Sequence, residues 1–359
     1  MGTAFQVSQE PAPKSLTILV FGANPFQRQN RKLHSTGEMQ ILDKIRFGVF
    51  LPFYVFRTEK RTSQLFNRLQ DAVLECERLG YYSFWLDDHL MLNKMPILEC
   101  WTTLSALSML TEKIRLGTMV TCNSFRNPAL LAKMAATLDN ISNGRLELGI
   151  GAGVQKDEPN AYGFPFLSAK DRVERLSEAV EIIKKMWTEE KASYSGKYYS
   201  IRDAVCEPKP VQSTHPPIVI GGGGEKLTLK VTARHADRYD WGYLPSLEHY
   251  KRKLKVLEKH CETVGRKVSG IEKSCWPAGQ IFIGEDKKEL KKRVMQWVPK
   301  GASLEEFMRT NFVGTPEDCI KQLQQYMNLG VTQFMLFFGD LPDLKGLRLF
   351  AEKVVQKIS

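Results

Sequence analysis

The chain has 359 residues, 43% hydrophobic and 25% charged, with 26 Gly and 17 Pro and a formal net charge of +11 from 51 Lys+Arg against 40 Asp+Glu. These proportions belong to a globular protein and exclude disordered, collagenous and disulfide-scaffold classes. The 7 cysteines are odd in number, widely spaced and lack a C-x-x-C pair, which suits free thiols in a reducing, cytoplasmic setting. Basic residues interleave with acidic ones along 251–259 and 287–293, with no aromatic-rich basic face, so nucleic acid is not an expected partner. No apolar run approaches the roughly 20 residues that span a bilayer, so a membrane is not expected either.

Residues 1–43 hold polar and Pro-containing stretches without sustained periodicity. They read as an N-terminal extension: a flexible or partner-binding arm, or, since Met39 stands just before the first convincing strand, 38 residues upstream of the natural start. From residue 44 onward short apolar runs alternate with longer amphipathic ones, the pattern of βα units and a parallel sheet. Strands are expected at 45–51, 83–86, 114–120, 146–150, 218–220, 239–243, 280–283 and 333–338. Between them, 64–80 places Leu65, Leu69, Ala72, Val73, Cys76 and Leu79 on one helical face, and Asn127-Pro128 opens a helix to Ile141.

A closed (β/α)8 TIM barrel over 44–359 buries every strand on both sides and leaves no edge. Two stretches are too long for simple crossovers and read as insertions, at about 155–215 and 265–314. The first contains a strong helix at 172–187 and a hairpin-like segment at 192–199, and the second is placed to act as a lid or an oligomer contact.

Barrels carry chemistry at the C-terminal ends of their strands. The second strand leaves through Asp87-Asp88-His89, carboxylates beside an imidazole that suit proton transfer or ligand anchoring, or merely a capped turn. The third leaves through Met119-Val120-Thr121, and the fourth through Gly149-Ile150-Gly151-Ala152-Gly153, followed by Asp157-Glu158. The fifth leaves through Gly221-Gly222-Gly223-Gly224 into a helix pattern, which suits phosphate or a plain flexible turn. Three glycine-rich exits and one acidic-His exit point to a flat, phosphate-bearing cofactor across the barrel mouth. No H-x-x-x-H or H-E-x-x-H spacing suggests a metal, and there is no G-x-S-x-G elbow or Walker loop.

The series Phe84-Trp85-Leu86-Asp87-Asp88-His89, Ile114-Arg115-Leu116-Gly117-Thr118-Met119-Val120, Phe125-Arg126-Asn127-Pro128, Leu148-Gly149-Ile150-Gly151-Ala152-Gly153, Ala161-Tyr162-Gly163-Phe164-Pro165-Phe166 and Pro216-Pro217-Ile218-Val219-Ile220-Gly221-Gly222 resembles the bacterial-luciferase-like superfamily. It is most similar to the branch dependent on coenzyme F420, a 5-deazaflavin, and the match covers about residues 45–245. The resemblance implies an F420-dependent oxidoreductase acting on an unidentified small molecule, commonly as a homodimer. Asp88 and His89 would contact the deazaflavin ring region, with His89 the main catalytic group, and a non-prolyl cis peptide would fall at Met119-Val120, with Thr121 beyond it. Gly151, Ala152 and Gly153 would lie along the cofactor, and Gly221, Gly222, Gly223 and Gly224 would wrap its phosphate or ribityl chain.

Sugar-phosphate dehydrogenases of this branch carry an acidic residue directly after the Gly-x-Gly-x-Gly exit, where this chain has Val154. The proton donor is therefore open, with Glu99, Asp157 and Glu158 as candidates. The alternatives are an FMN-dependent monooxygenase of the alkanesulfonate type and, from another class, a cofactor-free binding protein on a decayed barrel.

Overall fold

The strands follow in chain order as β1 (Arg46–Phe50), β2 (Ser83–Leu86), β3 (Arg115–Thr118), β4 (Thr121–Cys122), β5 (Leu146–Gly151), β6 (Ala192–Ser195) and β7 (Ser200–Ala204). They continue with β8 (Ile218–Gly221), β9 (Arg238–Asp240), β10 (Ser274–Cys275), β11 (Ile281–Ile283), β12 (Phe312–Gly314) and β13 (Gln333–Leu336). The computed structural model describes residues 45–56 and 64–358; the expected tail and the start at Met39 lie outside the described residues.

Strands β1, β2, β3, β5, β8 and β9 pair in parallel in that order, and β13 and then β10 extend the sheet from the other side of β1. Single parallel bridges from Arg238 to Glu272 and from Tyr243 to Trp276 complete the circle. Closure removes the sheet's edges and sends every strand exit to one mouth. Among the described residues no helix is long and apolar enough to cross a membrane.

Helices form where the amphipathic runs predict them. Helix Leu65–Arg78 buries Leu65, Leu69, Ala72, Val73 and Cys76. Helix Pro128–Ile141 starts with Pro at its first turn, and the side chain of Asn127 accepts the Ala129 N–H, so an otherwise orphaned donor is satisfied. Within 155–215, helix Ala169–Thr188 is itself the crossover helix: its Trp187 indole donates to the Ala132 carbonyl at 2.9 Å. The extra material is the short helix Asp157–Ala161 before it and the antiparallel hairpin β6–β7 after it.

The seventh barrel strand is not the expected 280–283. That position belongs to β10, Ser274–Cys275, whereas β11 pairs with β12 outside the barrel. The reason is visible in the side chains. Strand β10 is two residues long and follows Glu272-Lys273, so it carries no apolar run, and the apolar run that does exist serves another core. Phe282 there packs with Leu290, Val294 and Phe307 beneath the second inserted segment.

The N-terminal end of the barrel interior is closed by charge. Glu147, fully buried on β5, accepts Arg115 Nε at 2.6 Å and pairs with Arg238 on β9. Arg238 Nη1 also reaches Glu272 at 3.2 Å and Gln333 at 2.9 Å, and Glu272 pairs in turn with Arg46. Burial is the largest influence on Glu147 and opposes its ionisation, yet Arg238 and Arg115 together hold its carboxyl below the ordinary value.

Candidate active site

At the opposite end the exits of β2, β3, β5 and β8 surround a cleft of about 250 Å³, open at its mouth. Its floor and back wall are Met119, Val120, Gly151, Ala152, Gly153, Gly221 and Gly222, and its polar side carries Asp87, Asp88, His89 and Glu158. Cys122, Phe125, Val154 and Gln155 border it as well. Among the described residues no lysine or arginine lines it.

The wall is shaped by Val120. The Met119-Val120 peptide is cis, as the resemblance implies, and the Val120 methyls lie over the backbone of two neighbouring strands. A Cβ at Gly151 would stand 2.8 Å from Val120 Cγ2, and one at Gly221 would stand 2.8 Å from both methyls. These two glycines are therefore required by the side chain above them, and the result is a flat, largely apolar face that a planar ring can lie against. Thr121 turns away: it is fully buried, its hydroxyl donates to Thr118 Oγ1 at 2.9 Å, and it is not part of the cleft.

The four-glycine run divides. Gly221 and Gly222 border the cleft, whereas Gly223 and Gly224, expected with them along the cofactor, are not part of its lining. The carbonyl of Gly223 accepts the Lys253 ammonium, and Gly224 sits against Thr228, where a Cβ would meet Oγ1 at 2.9 Å. The following helix starts only at Thr228, so its first N–H groups are not presented by the glycines themselves.

On the polar side, His89 Nδ1 lies 2.8 Å from Glu158 Oε2, and Glu158 Oε1 accepts the N–H groups of Leu90 and Met91 at 2.9 and 3.0 Å. Glu158 is buried and thus fixed by three donors when the imidazole gives its Nδ1–H, a tautomer that leaves Nε2 for the cleft side. There Asp87 Oδ2 is 3.9 Å away. Asp88 is engaged differently: Arg126 grips both its oxygens at 2.6 and 3.0 Å, and the Cys122 N–H donates to it at 2.9 Å. Its role in the geometry is to fix the exits of β2 and β4 to one another.

Of the candidate acids, Glu99 caps helix Cys100–Ser108 and pairs with Arg126, and Asp157 is exposed. Glu158 alone among these three reaches the cleft. Its partnership with His89 spans 69 residues, and sequence spacing carries no signal for it. Asp87, in the Asp87-Asp88-His89 exit singled out from the sequence, has its carboxyl pushed up to about 6 chiefly by burial, offset by the Phe53 N–H and by His89.

A closed parallel barrel with its polar groups gathered at the C-terminal mouth defines the class, a (β/α)8-barrel enzyme. The chain belongs to the luciferase-like monooxygenase family, whose model matches residues 45–311. It is 28% identical over 331 residues to an F420-dependent glucose-6-phosphate dehydrogenase of Microbacterium testaceum, covering 83% of this chain and 96% of that one. It is 30% identical over 247 residues to the same-named protein of Kineococcus radiotolerans, covering 67% and 71%. Among solved structures, an F420-dependent secondary alcohol dehydrogenase in complex with an F420-acetone adduct superposes with a TM-score of 0.71 at 21% identity, over 87% of this chain and 98% of that one. A monooxygenase from Streptomyces bottropensis gives 0.72 at 22% identity, over 88% and 100%. At these identities the two structures share the fold.

Proposed function

We propose that the protein is a coenzyme-F420-dependent oxidoreductase that transfers a hydride between the deazaflavin and a small-molecule substrate. The observation that carries this reading is the flat wall made by Val120 over Gly151 and Gly221, facing the His89–Glu158 pair across one cleft. The names of the curated relatives supply the cofactor. Met119, Val120, Gly151, Ala152, Gly153, Gly221 and Gly222 would hold the ring system, with His89 and Asp87 at its polar side. When bound, the reduced deazaflavin supplies two electrons and a proton as a hydride, and reacts little with oxygen.

The chain's own residues then have defined tasks. The apolar wall excludes water from the ring face, and Glu158 holds the His89 imidazole in one orientation so that Nε2 can give or take a proton. Val154 borders the cleft where sugar-phosphate dehydrogenases of this branch carry an acidic residue, which weighs against a sugar phosphate as the substrate, although the relatives named above are glucose-6-phosphate dehydrogenases.

Fluorescence titration of the protein with oxidised F420 and with FMN tests the reading. Binding of F420 in the micromolar range or tighter, with FMN weaker, is the expected result. Binding of FMN with none of F420 would transfer the chain to the monooxygenase alternative, and failure to bind either would return it to the cofactor-free class.

A further inference from the structure

Three carboxyl groups border the cleft, and two of them are fully engaged. Asp88 is clamped by Arg126, and Glu158 is held by two backbone N–H groups and the His89 ring. Asp87 has no lysine or arginine partner among the described residues. Its Oδ1 accepts the Phe53 N–H at 2.9 Å, and its Oδ2 lies 3.9 Å from His89 Nε2. The residue is 5% exposed. Among the described residues, the titratable groups that face it are Asp88 and His89 from its own strand exit and Cys100 from helix Cys100–Ser108, with Glu158 beyond His89 and Arg126 beyond Asp88, and the turn at 53–56 contributes the Phe53 amide. A carboxyl withdrawn from water with so few donors favours its neutral form, and as a neutral acid it has an O–H to give.

Asp87 thus combines three properties: a place on the cleft wall, no lysine or arginine partner among the described residues, and an imidazole nitrogen 3.9 Å away. We propose that Asp87 is the acid–base residue of the site, so that the substrates are molecules with a polarised double bond, a carbonyl or an imine, or in reverse the corresponding alcohol or amine. The proposal rests on the hydride-transfer reading above. In the reducing direction a C–H bond forms as hydride reaches the carbonyl or imine carbon, and the π pair moves to oxygen or nitrogen. The Asp87 O–H bond breaks to protonate that atom. The carbon is reduced by two electrons, the reduced deazaflavin is oxidised by two, and the Asp87 carboxylate regains a proton from solvent through His89.

Infrared difference spectra of the cofactor-free protein, wild type against Asp87→Asn, read the acid without any substrate. A protonated-carboxyl band is expected in wild type, fading as pH rises through about 6, and missing from the variant. Asn keeps an acceptor for the Phe53 N–H; a second variant, His89→Gln, leaves Asp87 in place and should move the midpoint upward, because the imidazole beside Asp87 favours its ionised form. Single turnover is then followed with protein carrying reduced F420 and the probes benzaldehyde, cyclohexanone and 1-pyrroline. Asp87→Asn should bind oxidised F420 within about three-fold of wild type yet turn over about 100-fold more slowly, and the wild-type rate should fall about tenfold per pH unit above its midpoint.

A variant rate within about three-fold of wild type would overturn the inference, as would a wild-type-minus-variant spectrum without a carboxyl band, in which the contribution of Asp340, also pushed up to about 6, cancels, or a wild type that binds F420 and reduces none of the probes. A wild type that binds no F420 would overturn the hydride-transfer reading and with it the substrate class. The band in the cofactor-free protein would then still confirm or refute Asp87 as the proton holder.

Discussion

At the N-terminal end of the barrel Glu147 is wholly buried between Arg115 and Arg238, whereas at the other end Asp87, almost as far from water, meets one backbone N–H and an imidazole. The two carboxyls titrate in opposite directions: that of Glu147 is held below its ordinary value and that of Asp87 is pushed up to about 6. Depth of burial is nearly the same, so the partners decide the outcome. Charge at the closed end is permanent and ties strands together; charge at the open end is exchangeable, which is what acid–base chemistry requires.

The largest expected effect lies at the closed end. Glu147→Gln leaves the buried Arg238 and the half-buried Arg115 short of a counter-charge and should cost about 3–5 kcal/mol in urea denaturation, or abolish folding. A cost below about 1 kcal/mol would mean that the network is not the closure described here. At the open end the sign reverses. A carboxyl whose folded value is raised from 3.8 to about 6 contributes stability that is complete below about pH 4 and lost as pH rises through about 6. Asp87→Asn should therefore gain on wild type between pH 4 and pH 8, by up to about 3 kcal/mol at about 1.4 kcal/mol per unit. A gap that stays constant over that range would show that Asp87 ionises as freely in the folded protein as in the unfolded chain.

Two smaller effects sharpen the contrast. His89→Ala should slow turnover about 100-fold, roughly 2.7 kcal/mol, with less than about 1 kcal/mol lost in stability; equal losses would make His89 a structural residue like those at the closed end. Gly221→Ala places a methyl against both Val120 methyls and should cost about 1–3 kcal/mol while weakening F420 binding, read by denaturation and titration.

Much of the barrel was legible because its strands are local events. An apolar run such as Phe84-Trp85-Leu86 between two helices needs no distant partner to be recognised. The seventh strand defeated this reasoning because Ser274-Cys275 owes its place to neighbours in the ring, Gln333 and Phe334 on one side, and to no pattern of its own. The site divided in the same way. The glycines and His89 stand in motifs and reach the cleft. Asp87 and Asp88 are adjacent in sequence and opposite in circumstance, since Arg126 arrives from 38 residues away to claim one of them. Likewise the pairing of His89 with Glu158, and of Glu147 with Arg238 across 91 residues, exists only after the chain has closed on itself. Gly223 and Gly224 show the converse: they continue the glycine motif in sequence but not the lining of the cleft.

The arrangement of Val120 over Gly151 and Gly221 sets a rule for how this enzyme can change. Val120, just beyond β3, shares one small volume with Gly151 on β5 and Gly221 on β8, and the Thr118 carbonyl adds a fourth constraint because it would lie 1.8 Å from a Cβ at Gly149. Enlarging any one glycine requires Val120 to shrink in the same step. Substitutions at these sites should therefore appear together or not at all, and a mutant library meant to reshape the cofactor wall should vary Val120 jointly with both glycines.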